Sequence, residues 1–241
     1  MPRHAAVRWD DARLLRETPV PPLRSPFRAG LAAVVLLTAC QGGLPGATPV
    51  ACPTAAPTAA DSAGILAGAT AVVVETSLGD FTITLNPVAA PVAAANFVAL
   101  ARCGFYDGIT FHRVLTGFVI QAGDPNTREN QGDFEGLGSG TPGYGFDTEV
   151  PPEGVNYDSY TVAMANAAAP GTNGSQFFVC LVDLDGLFPE RNYSIFGTVT
   201  EGQEVVDAIG QVEVNHPNIG VPVDPVVIDR MEVLTAESTP S

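Results

Sequence analysis

Few side chains in this sequence could do chemistry, and their spacing excludes several kinds of site. The three histidines, His4, His112 and His216, are too scattered to act together as metal ligands. There is no C-x-x-C pair, and the run Asp183-Leu-Asp-Gly has too few oxygens to argue for calcium. No G-x-S-x-G occurs and no His stands in a triad context, so a hydrolase is weakly supported. We therefore expect no metal and no cofactor.

Arg113 is the remaining candidate for a chemical role. A lone Arg between two strands is most often a surface or ion-pairing residue. Only its context raises Arg113 above that: the run Phe111-His112-Arg113-Val114 is followed by Gly117-Phe118 and then Gln121. We expect His112 to be a core residue with satisfied hydrogen bonds. Phe118 and Phe178 could belong to the core instead of a site, because alternation along a strand does not say which face is which.

Short apolar runs predict the strands that would position these side chains. Residues 71–85 alternate around Leu78-Gly79-Asp80, which is typical of a hairpin. Helical spacing at 87–102 and 201–209 predicts two helices, each followed by a glycine. Further strands are predicted at 110–114, 118–122, 161–165, 176–182, 193–199 and 226–234. The pattern indicates a mainly β fold, a closed antiparallel barrel with helices capping its ends.

The charge of the chain excludes some partners. Of 241 residues, 46% are hydrophobic and 15% charged, with no Lys and a formal net charge of −15. Six of the 11 Arg precede residue 41, so residues 41–241 carry five Arg against 23 acidic residues, a net of −18. Such a surface repels phosphate backbones and anionic membranes. We therefore expect no nucleic-acid partner, and no membrane binding through charge.

The first forty residues are typical of a secretory signal. Arg24 and Arg28 precede an apolar run at 29–39, which is too short to span a bilayer that needs roughly twenty residues. The end of the run, Leu-Thr-Ala-Cys at 37–40, resembles the lipobox of bacterial lipoproteins, which implies a diacylated Cys40 anchored by two chains. The alternatives are a buried apolar helix and a translation start downstream of Met1. We expect an exported protein, lipid-anchored at the outer face of the cytoplasmic membrane.

Residues 41–69 are expected to form a disordered linker. Four Pro stand among Ala, Thr and Gly, so little apolar surface is available to offset the entropy of ordering. The folded domain is then expected at 70–236, with a tail at 237–241. An exported protein can form disulfides, but Cys52, Cys103 and Cys180 leave the pairing open. A Cys52–Cys103 bridge is conceivable, and Cys180 lies in an apolar run that indicates a buried thiol.

Six sequence blocks carry a specific resemblance. The first is the run around Arg113. The others are Gly-Phe-Val-Ile-Gln-Ala-Gly-Asp-Pro at 117–125, Pro-Gly-Tyr at 142–144, Met-Ala-Asn-Ala at 164–167, Thr-Asn-Gly-Ser-Gln-Phe-Phe at 172–178 and Ile-Phe-Gly at 195–197. In this order they resemble the cyclophilins over nearly all of residues 70–236. The resemblance implies an eight-stranded antiparallel barrel capped by two α-helices, and a peptidyl-prolyl cis/trans isomerase.

The resemblance also implies roles for individual residues. Arg113 would be the catalytic arginine, acting with Phe118 and Gln121. The expected binding residues are, for the proline pocket, Phe118, Val119, Phe178 and Leu184, and, for the peptide groove, Gln121, Ala165, Asn166, Gln176 and Tyr193. Val119 stands where the family usually has Met, Asp183 where many members have Trp, and Tyr193 where many have His. The loops 126–137 and 187–192 are longer than the common pattern and would flank the groove.

The implied reaction needs no nucleophile. Rotation about an X-Pro amide has a barrier of about 18–20 kcal/mol, and the twisted transition state makes the proline nitrogen a hydrogen-bond acceptor. A guanidinium held against that nitrogen stabilises the transition state more than the planar amide. The expected clients are proline-containing segments of unfolded or folding proteins. The alternative is a non-catalytic proline-peptide-binding or chaperone module on the same scaffold.

Overall fold

The computed structural model describes residues 50–128, 136–188, 190–215 and 219–237. The expected signal segment with Cys40, the first part of the expected linker and residues 238–241 lie outside the described residues. Within those described ranges, no helix is both long enough and apolar enough to cross a bilayer.

Eight antiparallel strands form one sheet, in the order β3–β4–β6–β5–β7–β2–β1–β8. The strands are β1 (Ala69–Thr76), β2 (Gly79–Leu85), β3 (Arg113–Leu115), β4 (Val119–Ala122), β5 (Thr161–Met164), β6 (Phe177–Cys180), β7 (Ile195–Glu201) and β8 (Ile228–Thr235). The predicted hairpin is confirmed, with Thr76 opposite Gly79 at the turn between β1 and β2. Apart from such hairpins, most strands that are neighbours in the sheet come from distant parts of the sequence.

The sheet is an open half-barrel, so the expectation of a closed barrel was wrong. β3 and β8 are the two edges and share no ladder. β3 has only three residues, and Val114 N–H donates to the carbonyl oxygen of Gly220 (2.6 Å) instead of to a strand. The segment before β3 contacts the start of β8 without forming a ladder: Thr110 bridges Val227, and Gly108 and Ile109 exchange backbone hydrogen bonds with Ile228. The loop around Gly220 thus covers the edge that a closed barrel would pair.

Helices α2 (Pro91–Arg102) and α3 (Gln203–Ile209) lie within the predicted helical segments. α2 begins with Pro at its first position, where the missing N–H costs no hydrogen bond. The carboxylate of Glu149 accepts from the backbone N–H groups of Val92 (3.0 Å) and Ala93 (2.9 Å), so it caps this helix from a distant loop. α2 is buried along most of its length and packs on β1, β7 and β8.

The last 20 residues of the expected linker have a defined structure, which corrects that prediction for residues 50–69. A third helix, α1 (Ala59–Ile65), begins with a capping box between Thr58 and Asp61 and packs against α2. A disulfide joins Cys52 to Cys103, the residue that ends α2. These contacts compensate for the poor apolar content that favoured disorder. The described part of the chain therefore has three α-helices, not two, besides 3₁₀ turns at Pro125–Arg128 and Asp185–Leu187.

The strands divide their apolar residues between two clusters. The inner core fills the concave side of the sheet and includes Ile120, Phe177 and Val179. Their neighbours in β4 and β6 point the other way, because side chains alternate along a strand. Together with side chains from β5, β7 and two loops, they form the outer cluster, made of Val119, Tyr157, Ala163, Phe178, Cys180, Leu184 and Ile195. Cys180 is a buried free thiol, as expected.

Candidate active site

β3 and β4 bring Arg113 and Gln121 directly opposite each other. The guanidinium Nη1 of Arg113 donates to Oε1 of Gln121 (3.3 Å), and the carbon at its centre lies 5.9 Å from the centroid of the Phe118 ring. Gln121 in turn donates through Nε2 to Oε1 of Gln176 (3.0 Å). The amide of Gln121 thus orients the guanidinium from one side while the Phe118 ring supports it from another.

Arg113 is half-buried and remains a cation. Partial burial lowers the pKa of its guanidinium from its ordinary value, and the nearby Tyr193 hydroxyl opposes that shift. A guanidinium stays protonated in proteins at neutral pH. None of the ion pairs found among the described residues involves Arg113. Its positive charge is therefore not neutralised by a hydrogen-bonded carboxylate.

A cavity of about 230 Å³ lies beside Arg113. Its lining consists of Arg113, Phe118, Val119, Gln121, Ala165, Asn166, Phe178, Phe188 and Tyr193. Leu184, expected in the wall of this pocket, is instead buried beneath it in the outer cluster. The longer loop explains the change, because it places Phe188 at the pocket surface and leaves Leu184 below. Phe188 is thus a lining residue that the sequence did not identify.

A second cavity of about 430 Å³ continues the first. The two share Gln121, Ala165 and Asn166, so together they form one groove along β4 and β5. Gln176 lines the second cavity, and its Nε2 donates to the carbonyl oxygens of Gly138 and Gly140, both at 2.9 Å. The chain Arg113–Gln121–Gln176 therefore ties the guanidinium to the loop at 138–140.

Asn166 lies in both cavities, but its side chain is already hydrogen-bonded within the protein. Its Nδ2 donates to the carbonyl oxygen of Asn192 (2.8 Å), and its Oδ1 accepts from Ala168 N–H (2.9 Å). Asn192 belongs to the longer loop 187–192, and Phe188 of that loop lines the groove. Most of the other long loop, 126–137, lies outside the described residues. Asn166 therefore holds the groove to the 187–192 loop.

Tyr157 supports the wall of the pocket that Tyr193 forms, and the sequence did not identify it. Its hydroxyl donates to the carbonyl oxygen of Tyr193 (2.8 Å) and accepts from Tyr193 N–H (3.1 Å). Burial raises the pKa of Tyr157 to about 12, so the phenol stays protonated and able to donate. Tyr193 lines the pocket with its ring 5.3 Å from that of Phe178. No motif around Tyr157 signals this role, because the contact joins distant segments.

His112 is buried, as expected, but the expected hydrogen bonds are absent. Neither ring nitrogen has a protein partner among the described residues. Its surroundings include Phe111, Pro222 and Pro225, and proline offers no N–H donor. Burial lowers the pKa of His112 to about 4, although the charge of Asp124 acts in the opposite direction. His112 is therefore neutral at physiological pH and faces away from the groove.

Comparison with known proteins agrees with this geometry. Residues 71–233 match the family model of the cyclophilin type peptidyl-prolyl cis-trans isomerases. Peptidyl-prolyl cis-trans isomerase A of Mycobacterium tuberculosis is 41% identical over 186 residues, covering 70% of this chain and 93% of that protein. Peptidyl-prolyl cis-trans isomerase-like 1 of Aspergillus fumigatus is 38% identical over 166 residues, covering 69% and 96%.

Solved structures show the same fold. A cyclophilin type peptidyl-prolyl cis-trans isomerase of Cryptosporidium parvum superposes with a TM-score of 0.60 and 32% sequence identity, covering 71% of this chain and 99% of that one. The crystal structure of that protein in the presence of the dipeptide Ala-Pro matches with a TM-score of 0.59 and 32% identity, over 68% of this chain and 99% of the other.

Proposed function

The chain belongs to the cyclophilin-type peptidyl-prolyl cis-trans isomerase family and is such an isomerase, and we propose that it turns X-Pro bonds with Arg113 in exported or envelope proteins. The observation that carries the assignment to Arg113 is its half-buried guanidinium, held by Gln121 at the rim of an apolar cavity. A proline ring is apolar and fits such a cavity, while the peptide on either side follows the groove. A related structure was solved in the presence of Ala-Pro, which supports a proline peptide as ligand.

The cavity and the Arg113 cation have separate roles in the reaction. The aromatic walls of Phe118, Phe178 and Tyr193 hold the ring and exclude water, which would stabilise the planar and more polar amide. With the ring fixed, the acyl side of the amide turns. Arg113 then donates to the proline nitrogen as conjugation is lost, an interaction that the planar amide cannot accept well. No bond is broken and no proton is transferred.

Export and lipid anchoring are the second part of the proposal. The apolar run that ends at Cys40 supports them, since diacylation of that Cys would give a stable anchor. The Cys52–Cys103 disulfide is consistent with an oxidising compartment outside the cytoplasm. We expect the protein from a bacterial membrane fraction to begin at a diacylated Cys40, and Cys40→Ala to prevent processing there. Intact-mass spectrometry tests this, and an unmodified Cys40 in the wild type would refute it.

A binding or chaperone module without catalysis is the competing function. The retained Arg113 argues against it, because pure peptide binding does not need a cation aimed at the proline nitrogen. The experiment is a prolyl-peptide isomerisation assay on the full chain beside Arg113→Ala, with peptide affinity measured by NMR titration. We expect the variant to be slower by about 10²–10³ and its affinity to change much less. A wild type no faster than the uncatalysed reaction, yet still binding peptide, would favour the binding module.

A further inference from the structure

The loop between β6 and β7 places one aromatic side chain at the centre of the proline pocket. Phe188 is half-buried and lies in ring contact with both aromatic walls, with its centroid 6.0 Å from Phe118 and 6.2 Å from Phe178. It lies 5.1 Å from Tyr193 and 5.1 Å from Tyr157. Among the described ring pairs, no other aromatic residue of the pocket contacts as many rings. Phe188 therefore joins the wall from β6 with the walls from the segments just before β4 and just before β7.

The wall formed by Val119 is small, which makes Phe188 important for the size of the pocket. Val119 is almost fully buried and belongs to the outer cluster, so it forms part of the floor. A valine reaches only two carbons beyond its Cα, whereas the Phe188 ring extends into the cavity from the opposite loop. The depth and width available to a proline ring depend on where the Phe188 ring stands.

Arg191 holds this loop in place. Its Nη1 pairs with Oδ1 of Asp185 (3.2 Å), and its Nη2 donates to the carbonyl oxygens of Pro152 (3.2 Å) and Val155. Its backbone N–H donates to the carbonyl oxygen of Phe188 (2.9 Å), which closes a turn directly on the aromatic residue. Arg191 has a φ of 48°, in the left-handed region that a side chain with a Cβ seldom adopts. The strained backbone persists because four hydrogen bonds surround it.

We propose that Phe188 is a specificity-determining residue that closes the proline pocket and selects the five-membered ring, and that Arg191 is the positioning residue that sets the Phe188 ring. This inference rests on the proposed isomerase function and deepens it. A fixed aromatic wall should reject a larger cyclic imino acid at the proline position and leave a smaller one loosely held. Removing the wall should therefore change relative rates for different ring sizes, which a general loss of stability would not do.

The experiment compares peptides that differ only in ring size. Isomerisation is measured for the same peptide carrying proline, the four-membered azetidine-2-carboxylic acid or the six-membered pipecolic acid. For Phe188→Ala we expect kcat/KM on the prolyl peptide to fall roughly tenfold, as expected for losing part of a buried aromatic contact. We expect the pipecolyl-to-prolyl ratio to rise by about the same factor. Phe188→Leu should give an intermediate ratio.

Leu187→Ala is the matched control, because Leu187 is the neighbouring apolar residue, is 65% exposed and does not line the pocket. Its ratio should equal that of the wild type. Arg191→Ala should raise the ratio in the same direction, Arg191→Lys should restore part of it, and the Phe188→Ala/Arg191→Ala pair should not exceed Phe188→Ala alone, since both act on one wall. A ratio unchanged in Phe188→Ala would overturn the proposal, whatever happens to the absolute rate.

Failure of this proposal differs from failure of the isomerase function. If the wild type turns over prolyl peptide but the ratio does not respond to Phe188, only the proposal on Phe188 fails. If the wild type has no activity, NMR titration of the full chain and its variants with Ala-Pro and Ala-pipecolic acid still tests the wall. Phe188→Ala should then lose discrimination between the two dipeptides, and equal discrimination in both proteins would contradict the proposal.

Discussion

The inner core and the outer cluster are built from the same strands but have different roles. In β6 the two faces alternate residue by residue: Phe177 and Val179 belong to the inner core, whereas Phe178 and Cys180 belong to the outer cluster. The inner core is filled by its own side chains and packs against α2. The outer cluster ends in half-exposed aromatic residues around a cavity.

The difference shows why the site lies outside the half-barrel. A filled interior supplies apolar burial but leaves no room for a peptide. The outer face has only one thin apolar layer, so its upper side chains stay accessible and can contact a ligand. Changes on the inner side should therefore act mainly on the free energy of unfolding. Changes on the outer side should act mainly on turnover.

Removing the disulfide tests the inner side with the largest expected effect on stability. Cys52 and Cys103 are separated by 51 positions in the sequence, and opening such a loop is expected to cost about 4 kcal/mol of unfolding free energy. The bridge lies where α2 ends, and Glu149 caps the opposite end of this 12-residue helix, about 18 Å away.

Cys52→Ser/Cys103→Ser should therefore lower the unfolding midpoint in urea and leave kcat/KM unchanged at a temperature where the variant is folded. Reduction of the wild type with dithiothreitol, measured in the same way, opens the bridge without changing a side chain and should give the same loss of stability. A large loss of activity in the folded double variant would break the division between the two faces.

Acid should weaken the fold around buried His112 before it alters the outer cluster. His112 has a pKa of about 4 in the folded protein, against 6.5 in an unfolded chain. The unfolded state binds more protons between these values, so the stability that depends on neutral His112 is present above pH 6.5 and is lost as the pH falls towards 4. The loss amounts to about 3 kcal/mol.

Urea unfolding at pH 7 and pH 4 measures this effect. His112→Phe removes the titrating group while keeping an aromatic ring, so the variant should lose about 3 kcal/mol less than the wild type over the same interval. Equal losses in the two proteins would show that His112 is not the source. Arg113, its neighbour in sequence, keeps its charge throughout this interval because a guanidinium stays protonated in proteins.

Gln121→Ala tests the outer side and has the smallest expected effect of these changes. The change removes the acceptor that orients the Arg113 guanidinium and the link to Gln176. We expect kcat/KM to fall about tenfold, which corresponds to about 1.4 kcal/mol of transition-state stabilisation, with little change in unfolding free energy. Gln203→Ala is the matched control, since Gln203 donates only to the carbonyl oxygen of Val199, away from the groove. Equal rates for the two variants would contradict a role for Gln121.

Local patterns predicted much of this fold. Alternation at 71–85 predicted the first hairpin, and helical spacing predicted α2 and α3 to within a few residues. The edge strand β3 is covered by a distant contact, the one between Val114 and Gly220, which no local pattern encodes. α1 was missed because its Ala-rich segment has too little apolar surface to predict a helix, and its support comes from Cys103 and α2.

The site residues that lie in short sequence blocks were predictable. Those whose position depends on the longer loop 187–192 were not. Arg113, Phe118 and Gln121 come together because β3 and β4 are adjacent in sequence. The sequence did not predict that Leu184 lies below the pocket and Phe188 at its surface, because the position of a loop side chain depends on tertiary contacts such as those of Arg191. Alternation alone could not say whether Phe178 faces inwards or outwards, since both faces of this sheet are apolar.

Phe177 and Phe178 provide the most direct test of the division between the faces, because they are adjacent residues of the same type on opposite sides of β6. For each alanine variant, unfolding free energy and kcat/KM on a prolyl peptide are measured together. We expect Phe177→Ala to lose about 3–5 kcal/mol of stability while the folded fraction keeps its kcat/KM, since it creates a cavity in the inner core. We expect Phe178→Ala to lose at least about tenfold in kcat/KM with a smaller loss of stability. The reverse pattern, or equal effects on both quantities at both positions, would contradict the account.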